Sequence, residues 1–431
     1  MTTRTDTTFT VRQDRRLVRP TGHSRRFILA RIAAPRATTE RQRPPVNLAI
    51  VLDRSGSMSG EKLRVAKVAV EEAIARLRPE DRFSVVVYDD VVEVVIESTA
   101  ASAEARRGAV ERLRSVEARG STNLGEGWLR GCEQVARHLV ERGVDRCLLL
   151  TDGLANVGMT DPDLLASHAA ELRARGVSTS TFGVGNDFDE RLLQALADAG
   201  GGHFYYIADA PQIRDAITSE VGETLEVVAR GVDVEITARD DIRIDAISPY
   251  RVQTNANRTV VSLGDLGSEQ VVDVVLRLSF PYGEIGRETV AILSLTDRDG
   301  VFAAAGGVGE AEPVRLTWTY ADDRANDSQP RDAEVDRAVG QLFAARARQD
   351  AVQRNRAGDY EGARRILDAT ARRIRTYAGS DQVLRGLIDD LSTEQVTFAA
   401  PMAEPRLKEA HFASANMLRS RDATGRAVKR S

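Results

Sequence analysis

Between Val46 and about Val228 the chain alternates short, continuously apolar runs with stretches of helical spacing. No other feature limits the fold as much. NLAIVLD, RFSVVVYD, VVEVVIES, RCLLLTDG, STSTFGVG and HFYYI read as strands, the second and third joined by a tight Asp-Asp link. Lys62–Leu77, Ala103–Val116, Leu124–Val140, Pro162–Arg175, Glu190–Ala199 and Gln212–Val228 read as helices. In the first of these, Leu63, Ala66, Val70, Ala73, Ile74 and Leu77 fall on one face. A strand without a polar side has both faces covered, and strands separated by helices run parallel. The expected fold is therefore α/β: a doubly wound, mainly parallel, Rossmann-like sheet. Such sheets carry their sites at the carboxyl ends of the strands.

The flanks have a different period. Phe9–Arg12 and Phe27–Ala33 are β-like around an Arg19-Pro20-Thr21-Gly22 turn cluster. After residue 229, GVDVEITARDDIRIDAI, RTVVSLGDL, QVVDVVLRLSF, TVAILSLTDRDG and PVRLTWTY alternate with period two, as in an antiparallel sheet or sandwich. The N-terminal strands could complete that sandwich, making the α/β unit an insertion in it or a domain followed by it. Next come AVGQLFAARARQDAVQRNRAG and DYEGARRILDATARRIRTYAG, a helical hairpin turning at Ala357–Tyr360, with a third helix over Ser380–Ser392. The domain expectation is 1–45 as N-terminal β-strands, 46–228 as the α/β domain and 229–325 as the β-domain. Residues 326–396 are a helical pair or bundle, and 397–431 a basic, flexible tail.

Composition narrows the function. The 431 residues include 60 Lys+Arg and 64 Asp+Glu, and 5% aromatics. That balance lacks the basic excess of a nucleic-acid binder and the aromatic platforms of single-strand binders. No apolar run reaches the roughly 18 residues of a membrane span, and the first residues carry no apolar leader segment, so a cytoplasmic protein is expected. Cys132 and Cys147 cannot form a disulfide framework and read as reduced core residues.

The first buried strand ends in Asp53-Arg54-Ser55-Gly56-Ser57. Asp, Ser and Ser at alternate positions put one carboxylate and two hydroxyls on one side of a turn. These are hard oxygen donors suited to a small hard cation such as Mg²⁺. Thr122 begins a helix after Gly120-Ser121, and Asp152 ends the strand RCLLLTD. In a doubly wound sheet that strand lies beside the first, so Asp53 and Asp152 should meet at its top.

DRSGS, GSTNL and LLLTDG, in this order and context, resemble the von Willebrand factor A domain with its metal-ion-dependent adhesion site, D-x-S-x-S…T…D. All five positions of that motif are filled, and the resemblance covers about 46–228. Ser121–Leu124 and Asp152–Gly158 are similar to the bacterial branch with inter-α-trypsin-inhibitor-heavy-chain-like proteins, which also flank the domain with β-structure. The resemblance implies a metal site of Asp53, Ser55, Ser57, Thr122 and Asp152. The serines and Thr122 would give hydroxyls to the ion, and the two aspartates would act directly or through water. Mg²⁺ is the implied ion, with Mn²⁺ and Ca²⁺ as alternatives. An Asp or Glu of a protein partner would fill an open coordination position. An AAA+ ATPase-linked system is the implied setting, by analogy alone.

Other signals are weaker. Gly56…Lys62 fails the phosphate-loop spacing, and Gly183-Val184-Gly185 lacks a third glycine and reads as a turn. The histidines, 23, 138, 168, 203 and 411, show no zinc spacing, and His203 reads as a strand-edge residue. Asp89-Asp90 reads as an exposed hairpin corner, Asp187 and Asp189 as helix caps, and Trp128 and Trp318 as packing residues. The function expected is a divalent-cation-dependent protein-binding module or adaptor, with no catalytic residues. The first alternative is a structural or assembly protein with a non-essential metal site. A Mg²⁺-dependent phosphohydrolase is the weakest. Position 55 is Ser where a second Asp would be needed, and no Lys or His sits beside the motif to act as acid or base.

Overall fold

The computed structural model describes residues 8–22, 24–37, 43–239, 241–303 and 312–430; His23 and the first seven residues lie outside them. The chain divides into two compact units. One is Thr38–Val227, and the other joins Met1–Ala37 to Val228–Ser431.

The chain opens with β1 (Thr8–Gln13), β2 (Leu17–Val18) and β3 (Ser24–Ala33). The α/β unit then runs β4 (Val46–Asp53), α1 (Glu61–Ala75), β5 (Arg82–Tyr88), β6 (Val92–Ala100), α2 (Ala103–Arg114), α3 (Leu124–Ala136) and β7 (Val144–Thr151). It continues with α4 (Pro162–Ala174), β8 (Val177–Val184), α5 (Glu190–Gly200), β9 (Gly201–Ile207) and α6 (Ala210–Leu225). The sheet order is β6-β5-β4-β7-β8-β9, parallel except for the β5–β6 pair. All eight residues of β4 and of β7 are buried, the apolar stretches Leu48–Leu52 and Cys147–Leu150 filling their centres. Helix α3 presses close on this centre. A methyl at Gly127 would lie 2.6 Å from the Tyr88 ring, and one at Gly131 would lie 2.2 Å from Val51, so only glycine permits the approach. Trp128 packs fully buried, and its Nε1–H donates to Thr179 Oγ1 at 3.1 Å. Cys132 and Cys147 are buried free thiols, and burial pushes Cys147 up.

The other unit continues with β10 (Val227–Ala238), β11 (Arg243–Ala246), β12 (Arg251–Asn255), β13 (Arg258–Gly267), β14 (Val271–Phe280), β15 (Glu288–Thr296) and β16 (Val314–Tyr320). It forms two sheets, β1-β3-β14-β11 and β12-β13-β10-β15-β16-β2. β3 pairs with β14 over ten residues, so the N-terminal strands belong to this sandwich and the α/β unit is inserted in it. Ile28, Ala30 and Ile32 face a core shared with Val234, Leu293 and Trp318 of the second sheet. Phe27 and Leu29 face the other way, onto a helix. That double burial is why Phe27–Ala33 is apolar on both faces except at Arg31, which pairs with Asp273.

The helices are α7 (Asp323–Ser328), α8 (Ala333–Arg356), α9 (Tyr360–Ala378), α10 (Gln382–Phe398) and α11 (Glu404–Leu418). Val335, Val339 and Leu342 of α8 lie on β3 and β14, while Ala347 and Val352 join the core of the helical bundle. The flexible tail expected from residue 397 is corrected here. Its basic composition conceals apolar residues at helical spacing, and Leu407, Phe412 and Leu418 are buried. Burying each stabilises the fold by roughly 1.5–3 kcal/mol, more than a tail can forgo. Beyond α11 the chain returns to the sandwich: Val271 N–H donates to Val428 O at 2.8 Å and Arg430 N–H to Glu269 O at 2.9 Å. Among the described residues no helix is long and apolar enough to cross a membrane.

Candidate metal centre

β4 and β7 lie side by side in parallel register, which brings their last residues together at the carboxyl edge of the sheet. Asp53 ends β4 fully buried. Its Oδ1 accepts the Ser55 N–H at 2.7 Å, shaping the turn, and its Oδ2 accepts the Thr151 hydroxyl at 2.6 Å. Both partners are neutral. Burial therefore pushes the Asp53 carboxyl up to about 6; the hydrogen bonds from Thr151 and Ser55 oppose the rise, and the charge of Asp152 adds to it.

From the turn, a chain of oxygens runs outward. Ser55 Oγ is 3.1 Å from Ser57 Oγ, and Ser57 donates to Asp152 Oδ1 at 2.6 Å. Ser55 and Asp152 are buried, whereas Ser57 is exposed, so the cluster opens to solvent at that side. Thr122 is buried on the neighbouring loop. A methyl added at Gly153 would lie 3.3 Å from Thr122 Oγ1 and 3.7 Å from Ser57 Oγ, so the bare glycine leaves a cradle between these hydroxyls. Asn156 holds the Thr122 backbone. Its Oδ1 accepts the Thr122 N–H at 3.0 Å, and its own N–H donates to Thr122 O at 3.2 Å. All five predicted ligands thus stand on adjoining loops at one end of the sheet. Hard neutral hydroxyls, a buried carboxylate without a cationic partner and an open cradle fit a small divalent cation.

Three features of this end were hidden in the sequence. Asp89, expected at an exposed corner, is buried; only Asp90 is exposed. Asp89 Oδ2 accepts Arg54 Nε–H at 3.1 Å and Arg119 Nε–H at 2.7 Å, and its backbone O accepts Asn123 N–H at 2.8 Å. It therefore ties the Asp53 turn to the Thr122 loop. Burial raises its pKa, but the Val91 N–H and the two arginines outweigh that, holding the carboxyl below the usual range. Arg54 reaches onward to Glu93 Oε2 at 2.9 Å. The third feature is Lys62. The sequence set no Lys or His beside the motif, yet Lys62 Nζ lies 2.5 Å from Asp152 Oδ2. The short turn over Gly56–Met58 folds α1 back, bringing its second residue to β7, a contact that linear spacing does not reveal.

The remaining candidates are structural. Asp189 caps α5 by accepting Arg191 and Leu192 N–H groups; that bond set belongs to Asp189, not Asp187. Gly185 turns the chain after β8 with φ +76°. His203 is on the edge strand β9, and its Nδ1 lies 3.0 Å from Glu220 Oε2. Glu220 is fully buried and also accepts from Tyr205 OH at 2.7 Å, Ser180 Oγ at 2.6 Å and Arg146 Nη1 at 2.6 Å. With Glu223, His203 and Glu220 offer ligand atoms within 4.8 Å of one another. However, both Glu220 oxygens already have donors, Arg146 among them, so the cluster calls for no ion.

An open α/β sheet with oxygen donors gathered over its two central strands defines the class: a doubly wound domain with its site at the carboxyl edge. Residues 47–219 match the von Willebrand factor type A domain, and the α/β unit of this chain is such a domain. The uncharacterized protein YfbK of Escherichia coli K12 is 34% identical over 195 residues, 45% of this chain and 34% of that protein. Inter-alpha-trypsin inhibitor heavy chain H3 of Rattus norvegicus is 30% identical over 162 residues, 36% of this chain and 18% of its own length. The chain thus spans about a third of the first relative and under a fifth of the second. A solved von Willebrand factor type A protein from Catenulispora acidiphila superposes with a TM-score of 0.72 at 18% identity, covering 100% of this chain and 99% of that one. At that identity the likeness speaks for the fold alone.

Proposed function

We propose that the von Willebrand A domain binds a divalent cation, Mg²⁺ in the first instance, and through it captures an Asp or Glu of a protein partner. Ser55, Ser57 and Thr122 would hold the ion through their hydroxyls, and Asp53 and Asp152 would hold it directly or through water. The observation that carries this reading is the unbroken contact of Ser55, Ser57 and Asp152 around the Gly153 cradle, beside an Asp53 that lacks a cationic partner. When bound, the ion supplies a positive centre that attracts an anionic oxygen. Two carboxylates, the Lys62 ammonium and a divalent cation together leave one net positive charge, which favours an incoming carboxylate. The Asp89 clamp keeps the two ligand loops in register. Mn²⁺ and Ca²⁺ remain alternative ions, and the AAA+ ATPase-linked setting is an analogy with the bacterial relatives of the domain. The phosphohydrolase alternative gains nothing from the fold. The position of a second aspartate is Ser55, and the nearby Lys62 is engaged by Asp152.

The test is calorimetric titration of Mg²⁺ and Mn²⁺ into the wild type and Asp53→Ala, with circular dichroism of both. A pull-down with and without EDTA follows. The expected result is saturable binding lost in the folded variant, with partners released by EDTA. A wild type that binds neither ion overturns the reading.

A further inference from the structure

Lys62 stands where a cation is least welcome in a helix, in the first turn of α1, at the positive end of the helix dipole. What holds it there is Asp152, one oxygen of which takes the Lys62 ammonium at 2.5 Å while the other takes the Ser57 hydroxyl at 2.6 Å. Asp152 is fully buried; Lys62 keeps about a third of its side chain exposed, enough to swing out to water. The turn after β8 passes the ammonium at contact distance: a methyl at Gly185 would lie 3.7 Å from Nζ. Asp53, the other carboxylate of the centre, has no such cation. The lysine is therefore matched to one ligand of the cluster, on its solvent side.

We infer that Lys62 is the resident counter-cation of the centre: it keeps Asp152 compensated when no divalent ion is bound, and it opposes the entry of that ion. This rests on the metal reading above. A divalent cation arriving among Ser57, Thr122 and Asp152 must displace the ammonium or bind beside it, and both weaken its hold. The lysine thus exchanges tight binding for a centre that stays folded while empty and loads reversibly.

The experiment is Mg²⁺ titration calorimetry on the full chain as wild type, Lys62→Met and Lys62→Arg at low salt, with thermal melts in EDTA and in Mg²⁺. Lys62→Met should bind Mg²⁺ about tenfold more tightly, from removal of one unit charge near a divalent ion. It should also melt lower than wild type in EDTA and gain more from Mg²⁺. Lys62→Arg, which keeps the charge, should stay within about twofold of wild type in affinity. Equal or weaker Mg²⁺ binding by a folded Lys62→Met overturns the inference while leaving the metal reading intact. Absence of Mg²⁺ binding in wild type and variants alike overturns the metal reading, and this inference with it.

Discussion

The α/β domain buries carboxylates at both ends of its sheet and treats them in opposite ways. Glu220, near the amino ends of β7–β9, takes donors from Arg146, Ser180, Tyr205 and His203. Asp53, at the carboxyl end of β4, takes only a backbone N–H and a hydroxyl. Arg146 and Asp152 sit six positions apart on one stretch of chain, roughly 20 Å of strand. The first site is complete in the protein alone and works as a structural tie. The second carries charge that the protein leaves uncompensated, which is the condition for recruiting a cation from outside.

The largest contrast should come from removing one partner at each end. Arg146→Met leaves Glu220 charged and buried, and should cost about 3–5 kcal/mol in urea unfolding. Its Mg²⁺ affinity should match wild type; a parallel loss of metal binding would mean the two ends are coupled. Asp53→Asn should do the reverse, abolishing the response to Mg²⁺ without loss of stability. The pH dependence sharpens the same point. Burial pushes the Asp53 carboxyl up to about 6 in the fold from the ordinary 3.8 of an aspartate, so folding favours its protonated form. In EDTA its contribution is fully present below pH 3.8 and is lost as pH rises through about 6, on the order of 3 kcal/mol. The difference in stability between wild type and Asp53→Asn across that window measures it; a flat difference would show that Asp53 is already compensated. Mg²⁺ at a hundred times its dissociation constant should stabilise wild type by about 2.7 kcal/mol in thermal melts, and Asp53→Asn not at all. Smallest, Asp189→Ala should cost about 1 kcal/mol through loss of the α5 cap, with metal binding untouched.

The sequence was informative where a pattern is local. The apolar centres of β4 and β7 announce a doubly covered sheet, and Asp53 and Asp152 at their carboxyl ends mark its candidate metal centre. Thr122 is legible as a candidate because the glycine and helix start around it are local too. Lys62, Asp89 and Arg54 escaped because their meaning lies in pairings across the fold: Lys62 meets Asp152 90 positions on, and Arg54 meets Asp89 35 positions on. A charged residue reads as surface until its partner is known. Helix α11 escaped for a related reason. Its Lys408 is buried with Leu407 and Phe412, so the basic count represents a packed helix as a solvated tail.

The insertion of the α/β domain sets a schedule for biosynthesis. Arg31 of β3 pairs with Asp273 of β14, 242 positions later. At about 5–20 residues per second, β3 leaves the ribosome roughly ten to fifty seconds before the strand that covers its edge. The inserted domain has its own core and can fold in that interval, while the largely apolar β3 waits with the hydrogen-bonding groups of its β14 edge open. The nascent chain is thus most exposed to misassociation at β3, and a chaperone that shields that strand would act there first.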